Sequence, residues 1–441
     1  MADAAGLLVL VSLIVGVGVG AKVLANECRL PSIIFLLIAG VIFGPSGFGL
    51  ITRSTFGDSI GAIVGIAVAI IVFEGALNLR IERIRRAQSS TTKLITVGAA
   101  IAFGGTTILV HYALGATWEI SAVIGALLVA TGPTVITPIL EVVTVRDEVA
   151  AAMETEGVVN DVTAAILAVV IFDSFVLGQQ VTASEVLGAF VTRVGVGLLF
   201  GIAGAAGMYI IVNRLASGNA VQNARLVVLA GAIVTYAVAN TFVSEAGVAA
   251  VATAGIILGN SDIPYYEEIE EFEGVITPLV LSLVFIILAA LVNLEQIAGL
   301  GVLSILVVFG VIVVIRPLLV AVSTFRSGFS FRERLFISLV GPRGIIPASV
   351  ATLFAVELED KAAELRNEAA IAAADHSGST YQASTVCGES GIGQEAATLC
   401  ARAAGLESSA TVLVSAVFLV IFATVMLQGG FARYIAEFLD V

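Results

Sequence analysis

Thirteen apolar stretches, most of roughly membrane-spanning length and separated by charged clusters, occupy most of the 441 residues. They fall near 4–21, 31–50, 59–78, 94–113, 120–140, 150–176, 185–212, 225–243, 245–259, 275–293, 298–322, 335–356 and 410–428. Hydrophobic residues make up 59% of the chain and charged residues 12%, whereas a soluble domain carries about a quarter charged residues. That balance excludes a water-soluble enzyme and a disordered protein. The net charge of -13 has the wrong sign for a nucleic-acid partner. The first run carries Asp3 in place of a basic leader, so it reads as a retained span rather than a signal peptide. The expectation is an all-α polytopic membrane protein of about 13 transmembrane helices.

Basic residues orient the spans. With the N-terminus outside and the C-terminus in the cytoplasm, the inner connections hold 15 of the 21 bases, including Arg80, Arg83, Arg85, Arg86 and Arg316. The outer connections hold four: Arg53, Lys361, Arg366 and Arg402. This is the positive-inside bias. Arg193 and Arg343 fall within spans. Residues 357–409, rich in Ala, Glu, Gly and Ser, read as a long acidic outer loop. They contain Cys387 and Cys400, which are bridged or are two free thiols.

Spans five and twelve share an interruption. SAVIGALLVATGPTVITPIL and LFISLVGPRGIIPASVATLF both contain GPxxxxP, formed by Gly132, Pro133 and Pro138 in one and Gly341, Pro342 and Pro347 in the other. Proline removes a backbone donor and glycine weakens a helix, so each span should lose its hydrogen-bond ladder near its middle. Non-helical backbone cannot face lipid and must line a protein-enclosed or watery cavity. Matching interruptions in oppositely directed spans point to the ion site of a transporter built from inverted repeats.

Ionisable groups inside the bilayer are the other signal, since each costs roughly 2.5–3.5 kcal/mol on insertion scales. Span six reads METEGVVNDVTAAILAV, with Glu154, Glu156, Asn160 and Asp161. Asp161 precedes a wholly apolar run and so lies deep, while Glu154 is nearer the cytoplasmic end. Arg343, beside the second interruption, needs a carboxylate or several carbonyls; Glu156 is the expected partner, with Glu154 as the alternative. Glu74 sits close to the inner end of span three. A buried carboxylate in a watery pocket holds either a proton or a monovalent cation, which makes an exchanger by competition.

RLPSIIFLLIAGVIFGPSG, the interrupted TGPT, the VVND of span six and the GPRG of span twelve resemble the monovalent cation:proton antiporter superfamily, and within it the NhaP-like sodium/proton antiporters. The resemblance runs from about residue 5 to 435. It implies the NhaA-like antiporter fold, with inverted repeats and two crossing discontinuous helices. It implies a homodimer with a dimerisation or scaffold domain (1–93 and 177–297) and a mobile ion-translocating core (94–176 and 298–430). Asp161 matches the residue that binds the proton or Na⁺, and Thr131 a position that supplies oxygen to the metal ion. Asn160 matches a second aspartate of electrogenic relatives, so its neutrality implies electroneutral exchange. Arg343 and Glu156 match a core ion pair. Gly132 stands where relatives often carry the aspartate of TDP, and Gly157 where some carry a hydroxyl; both leave fewer ligands at the crossing.

The function expected is a secondary active antiporter in a prokaryotic cell membrane. It would move Na⁺ (or Li⁺) out against H⁺ by alternating access, with no cofactor, no enzymatic chemistry and no ATP motif. A K⁺/H⁺ antiporter is the nearest alternative. A cation channel leaves the paired interruptions unexplained, and an intramembrane aspartyl protease would need a GxGD sequence that does not occur.

Overall fold

The computed structural model describes residues 4–28, 30–52, 56, 59–79, 81–82, 88–143, 145–176, 182–215, 219–377, 381–389 and 392–440. Regular structure among them is helical throughout. In chain order the principal helices are α1 (Ala4–Cys28), α2 (Ser32–Phe43), α3 (Ser59–Leu77) and α4 (Ser90–Leu114). The first interrupted span forms α5 (Trp118–Leu127) and α6 (Pro133–Val142), followed by α7 (Asp147–Ile171). Next come α8 (Ala183–Asn213), α9 (Ala220–Phe242), α10 (Ala246–Gly259), α11 (Tyr266–Ala290) and α12 (Leu303–Ser323). The second interrupted span forms α13 (Phe331–Leu339) and α14 (Ile345–Ser377), and α15 (Gly393–Thr424) and α16 (Gly430–Leu439) end the chain.

Nine helices among the described residues are long and apolar enough to cross a membrane. The spans expected near 31–50 and 245–259 are shorter apolar helices, α2 of 12 residues and α10 of 14. In α2 the helix stops before Gly44-Pro45, and a turn occupies 44–48. Helix starts are fixed locally. Thr182 with Glu185 and Ser330 with Glu333 form capping boxes on α8 and α13.

Two helix groupings position the site. In one, α10 lies against α3 with almost no side chain between them. A Cβ on Gly255 would meet Phe73 O at 2.6 Å, and one on Gly259 would meet Leu77 O at 2.0 Å, so only glycine permits this approach. In the other, α7 touches all four half-helices α5, α6, α13 and α14. Its apolar stretch is 78% buried, against 22% for α8 and α9, whose surfaces face outward from the fold.

Residues 357–409 are not the loop expected from their composition. α14 runs on to Ser377, α15 begins at Gly393, and the two pack as a helical hairpin. Ala362 and Ala369 on one helix, with Ala396, Ala403 and Ala410 on the other, are buried at seven-residue spacing. Alanine and glutamate are good helix formers, so a segment poor in large apolar residues still builds a helix–helix seam. Arg366 pairs with Glu407 at 2.6 Å, and a Cys387–Cys400 disulfide closes the tip. Cys28 is free and exposed.

Candidate functional site

The two interruptions are non-helical over 128–132 and 340–344. Gly132 and the pair Gly341 and Pro342 lie inside these segments. Pro133 heads α6, where a missing N–H leaves nothing unpaired. Pro138 and Pro347 fall within the half-helices that follow. Each interruption therefore exposes the carbonyl end of one half-helix and the N–H end of the next, with partial negative and positive charge respectively.

One arginine serves each carbonyl end. Arg343, in the second interruption, donates from Nη1 to Val129 O (3.2 Å) and Ala130 O (3.1 Å) in the first. The two interrupted segments thus meet directly. Arg316 donates from Nε to Ile337 O (3.3 Å) in the last turn of α13. Its other two nitrogens form a bidentate pair with Glu156 of α7: Nη1 to Oε1, and Nη2 to Oε2 at 3.0 Å. Both side chains of that pair are 1% exposed.

This corrects two expectations. Arg316 is not a base of an inner connection but the buried cation of α12, and Glu156 is held by Arg316 rather than by Arg343. The difference is geometric. Arg343 lies where free carbonyls are within reach, and two of them accept from its Nη1. Arg316 follows a π-helical turn at Gly310–Ile315, a local widening of the helix that shifts the side chains after it round the axis. The signal was in the sequence: in GVIVVIRPLLVAV the arginine is flanked by apolar residues on both sides.

α7 carries the remaining polar groups into the crossing. Glu156, Asn160 and Asp161 are buried on it, and Glu154 is only part-buried. Thr131, at the end of the first interruption, is also buried. Thr131 Oγ1, Asn160 Oδ1, Asp161 Oδ1 and Arg343 Nε have no hydrogen-bond partner in the protein. Arg343 acts electrostatically on Asp161, and Arg316 and Glu156 act on Arg343. The crossing so contains two guanidinium cations and two carboxylates. One carboxylate, Glu156, is fully engaged in an ion pair. The other, Asp161, keeps an oxygen without a partner, and Asn160 and Thr131 each carry a further unpartnered side-chain oxygen. Such an oxygen set can take up a proton or a bare cation.

Fold and site together define a polytopic helical membrane protein with two discontinuous helices crossing at a buried carboxylate, the architecture of a secondary transporter. Residues 9–437 match the transmembrane sodium/hydrogen exchanger family, and the chain belongs to it. It is 28% identical over 348 residues to the Na(+)/H(+) antiporter 1 of Methanocaldococcus jannaschii, covering 76% of this chain and 80% of that protein. It is 26% identical over 345 residues to the K(+)/H(+) antiporter NhaP2 of Shewanella oneidensis, covering 77% of this chain. The chain spans 59% of the length of that K⁺/H⁺ relative. The structure of the sodium proton antiporter MjNhaP1 from Methanocaldococcus jannaschii at pH 8 superposes with a TM-score of 0.76 at 22% identity, over 98% of each chain. The two share one fold.

Proposed function

We propose that the protein is an electroneutral Na⁺/H⁺ antiporter in which Asp161 binds a proton and a cation in turn. The observation that carries this reading is the buried, unpartnered Oδ1 of Asp161, which Arg343 at the contact between the two interruptions acts on, with Asn160 and Thr131 each carrying a further unpartnered oxygen. A single carboxylate gives one-for-one exchange. Protonated Asp161 and Asp161 with one monovalent cation carry the same charge, so the loaded site has the same net charge in both directions. Arg316 and Arg343 stay occupied by Glu156 and by carbonyls, which leaves Asp161 as the exchangeable group. No cofactor enters this mechanism.

In this reading 1–93 with 177–297 form the dimerising scaffold of a homodimer, and 94–176 with 298–430 form the moving core. A cavity of ≈700 Å³ supports such a division. It is bordered by Ile60 and Gly61 of α3 on one side and by Thr352, Leu353 and Val414 of α14 and α15 on the other. The reading takes the chain to make thirteen crossings of a prokaryotic plasma membrane, and an outside N-terminus is supported by the basic residues, which still divide 14 to 4 once Arg316 is moved into the fold. The disulfide at the tip of the α14–α15 hairpin fits an outward, oxidising side.

Transport by the purified protein in proteoliposomes tests the proposal. Na⁺ or Li⁺ should dissipate an imposed pH gradient without moving net charge, and Asp161→Asn should not support this. Dissipation by K⁺ alone would make the protein a K⁺/H⁺ antiporter. Exchange retained in Asp161→Asn would refute the mechanism.

A further inference from the structure

The ≈700 Å³ cavity beside α3 and α14 has a small neighbour. A second cavity of ≈20 Å³, room for about one water molecule, lies further along the same two helices. Ile60 on α3, with Val356 and Glu359 on α14, borders the large cavity. Val64 and Val68 on α3, with Ile346 and Ser349 on α14, border the small one. From the large cavity to the small one the numbers rise along α3 and fall along α14, as on an antiparallel pair. Gly61 and Leu353 border both cavities and so stand at the division between them. Gly61 leaves the leucine its space, since a Cβ there would already touch Leu353 Cδ2 at 3.5 Å.

The charges along this line have one sign. Among the described residues, Glu359 is the one charged side chain bordering the large cavity, and Glu245, at the α9–α10 junction, the one bordering the small cavity. Glu245 is held at φ 63°, in the left-handed region that favours glycine, so a carboxylate stands where a glycine would fit more easily. Its basic neighbour, Arg193 of α8, is directed to other partners: Asp173 Oδ2 at 2.6 Å and Ser244 O at 3.3 Å. The small cavity also approaches the crossing. Ile346 lies two residues past the second interruption, and α3, α10 and α14, which all line the cavity, each touch α7, the helix of Asp161.

We propose that the outer access path for cations runs down this side of α14, passing Glu359, Leu353 and Glu245 in turn, and that Leu353 against Gly61 is its gate. The path takes its destination, Asp161, from the transport reading and its course from the cavities alone. An acid on each side of an apolar constriction suits a cation. Each carboxylate offsets part of the cost of leaving bulk water, and the leucine between them denies a continuous file of water to leaking ions. A crevice that only separated two packed helices would need neither acid.

Thiol accessibility tests this without measuring transport. The full chain carries Cys28→Ser, which leaves Cys387 and Cys400 bridged, and either Val356→Cys or Ser349→Cys. Right-side-out vesicles are treated with a cationic, membrane-impermeant methanethiosulfonate and, separately, with its anionic counterpart. Val356→Cys should react readily, and Ser349→Cys at least tenfold more slowly. Adding Leu353→Ala should speed Ser349→Cys at least tenfold and leave Val356→Cys unchanged. Leu353→Val, one methylene smaller, should give an intermediate rate, and it decides the matter if Leu353→Ala does not fold. At both positions the cationic reagent should lead the anionic one at least fivefold, relative to their rates with a small free thiol. Ser349→Cys reacting as fast as Val356→Cys beside an intact Leu353, or no faster once Leu353 is trimmed, overturns the gate. Val356→Cys closed to the outer reagent, or equal relative rates for the two reagents, overturns the cation path. Retained exchange in Asp161→Asn would instead overturn the transport mechanism and leave the gate to be judged by these rates.

Discussion

Replacing Arg316 by glutamine should be among the most damaging single changes in the protein. The guanidinium makes two bonds to Glu156 and one to Ile337 O, and both charged partners are 1% exposed. Removing one member of such a pair leaves an uncompensated buried charge, a loss of about 3–5 kcal/mol. It also leaves the carbonyl end of α13 without its donor, a further cost of about 1 kcal/mol or more. The first figure alone corresponds to roughly a 150- to 4000-fold change in the folded population. Glu156→Gln should be damaging for the mirror-image reason, since it strands Arg316 beside the positive charge of Arg343. The double variant Glu156→Gln with Arg316→Gln removes both charges together. It should therefore be less destabilised than the sum of the singles, by on the order of 2–3 kcal/mol. Unfolding titrations in mixed micelles measure all three variants and the parent. A parallel cycle between Glu156 and Arg343 should show a smaller coupling, because Arg343 bonds to Val129 and Ala130 carbonyls. Additivity of Glu156 and Arg316 within about 0.5 kcal/mol would refute the assignment.

Three further outcomes follow from the same geometry. Gly341→Ala places a Cβ 2.5 Å from Arg316 Nε, so it should destabilise the fold by about 1–3 kcal/mol in the same titrations, and Gly341→Ser should do no better. Thr131→Val removes an unpartnered oxygen at the crossing without disturbing a hydrogen bond, so it should raise the KM for the cation in liposome transport while stability stays near the parent; an unchanged KM would exclude Thr131 as a ligand. Reducing the Cys387–Cys400 bridge opens a loop of 13-residue separation, worth about 3 kcal/mol to the hairpin, so amide exchange near the tip should quicken while transport persists.

Much of the fold was legible because hydropathy is a local property. Every apolar run occupies a helix or an interrupted pair of helices, and the two GPxxxxP motifs coincide with segments where the helix gives way, since missing N–H groups and absent side chains act on the chain where they stand. The 357–409 hairpin was harder. Its signal is alanine at seven-residue intervals, and alanine at a helix seam looks in composition like alanine in a loop. The buried state of Asp161, Asn160 and Glu156 could be read from their place ahead of an apolar run, but that of Glu273 and Thr277 on α11 could not. They stand next to the acidic stretch 260–271, and nothing in the one-dimensional pattern separates a submerged glutamate from five solvent-side acids.

The sequence by itself determined which segments leave water, where two of them are interrupted, and that a carboxylate would be submerged between them, because each depends on residues adjacent in the chain. Tertiary structure alone decided which charge neutralises which. Glu156, Arg316 and Arg343 come from helices far apart in sequence, and a guanidinium accepts either a carboxylate or two carbonyls as its partner. Which of these it meets depends on how the half-helices cross. That crossing gives the carbonyls to Arg343 and Glu156 to Arg316, and it leaves Asp161 with an oxygen to spare.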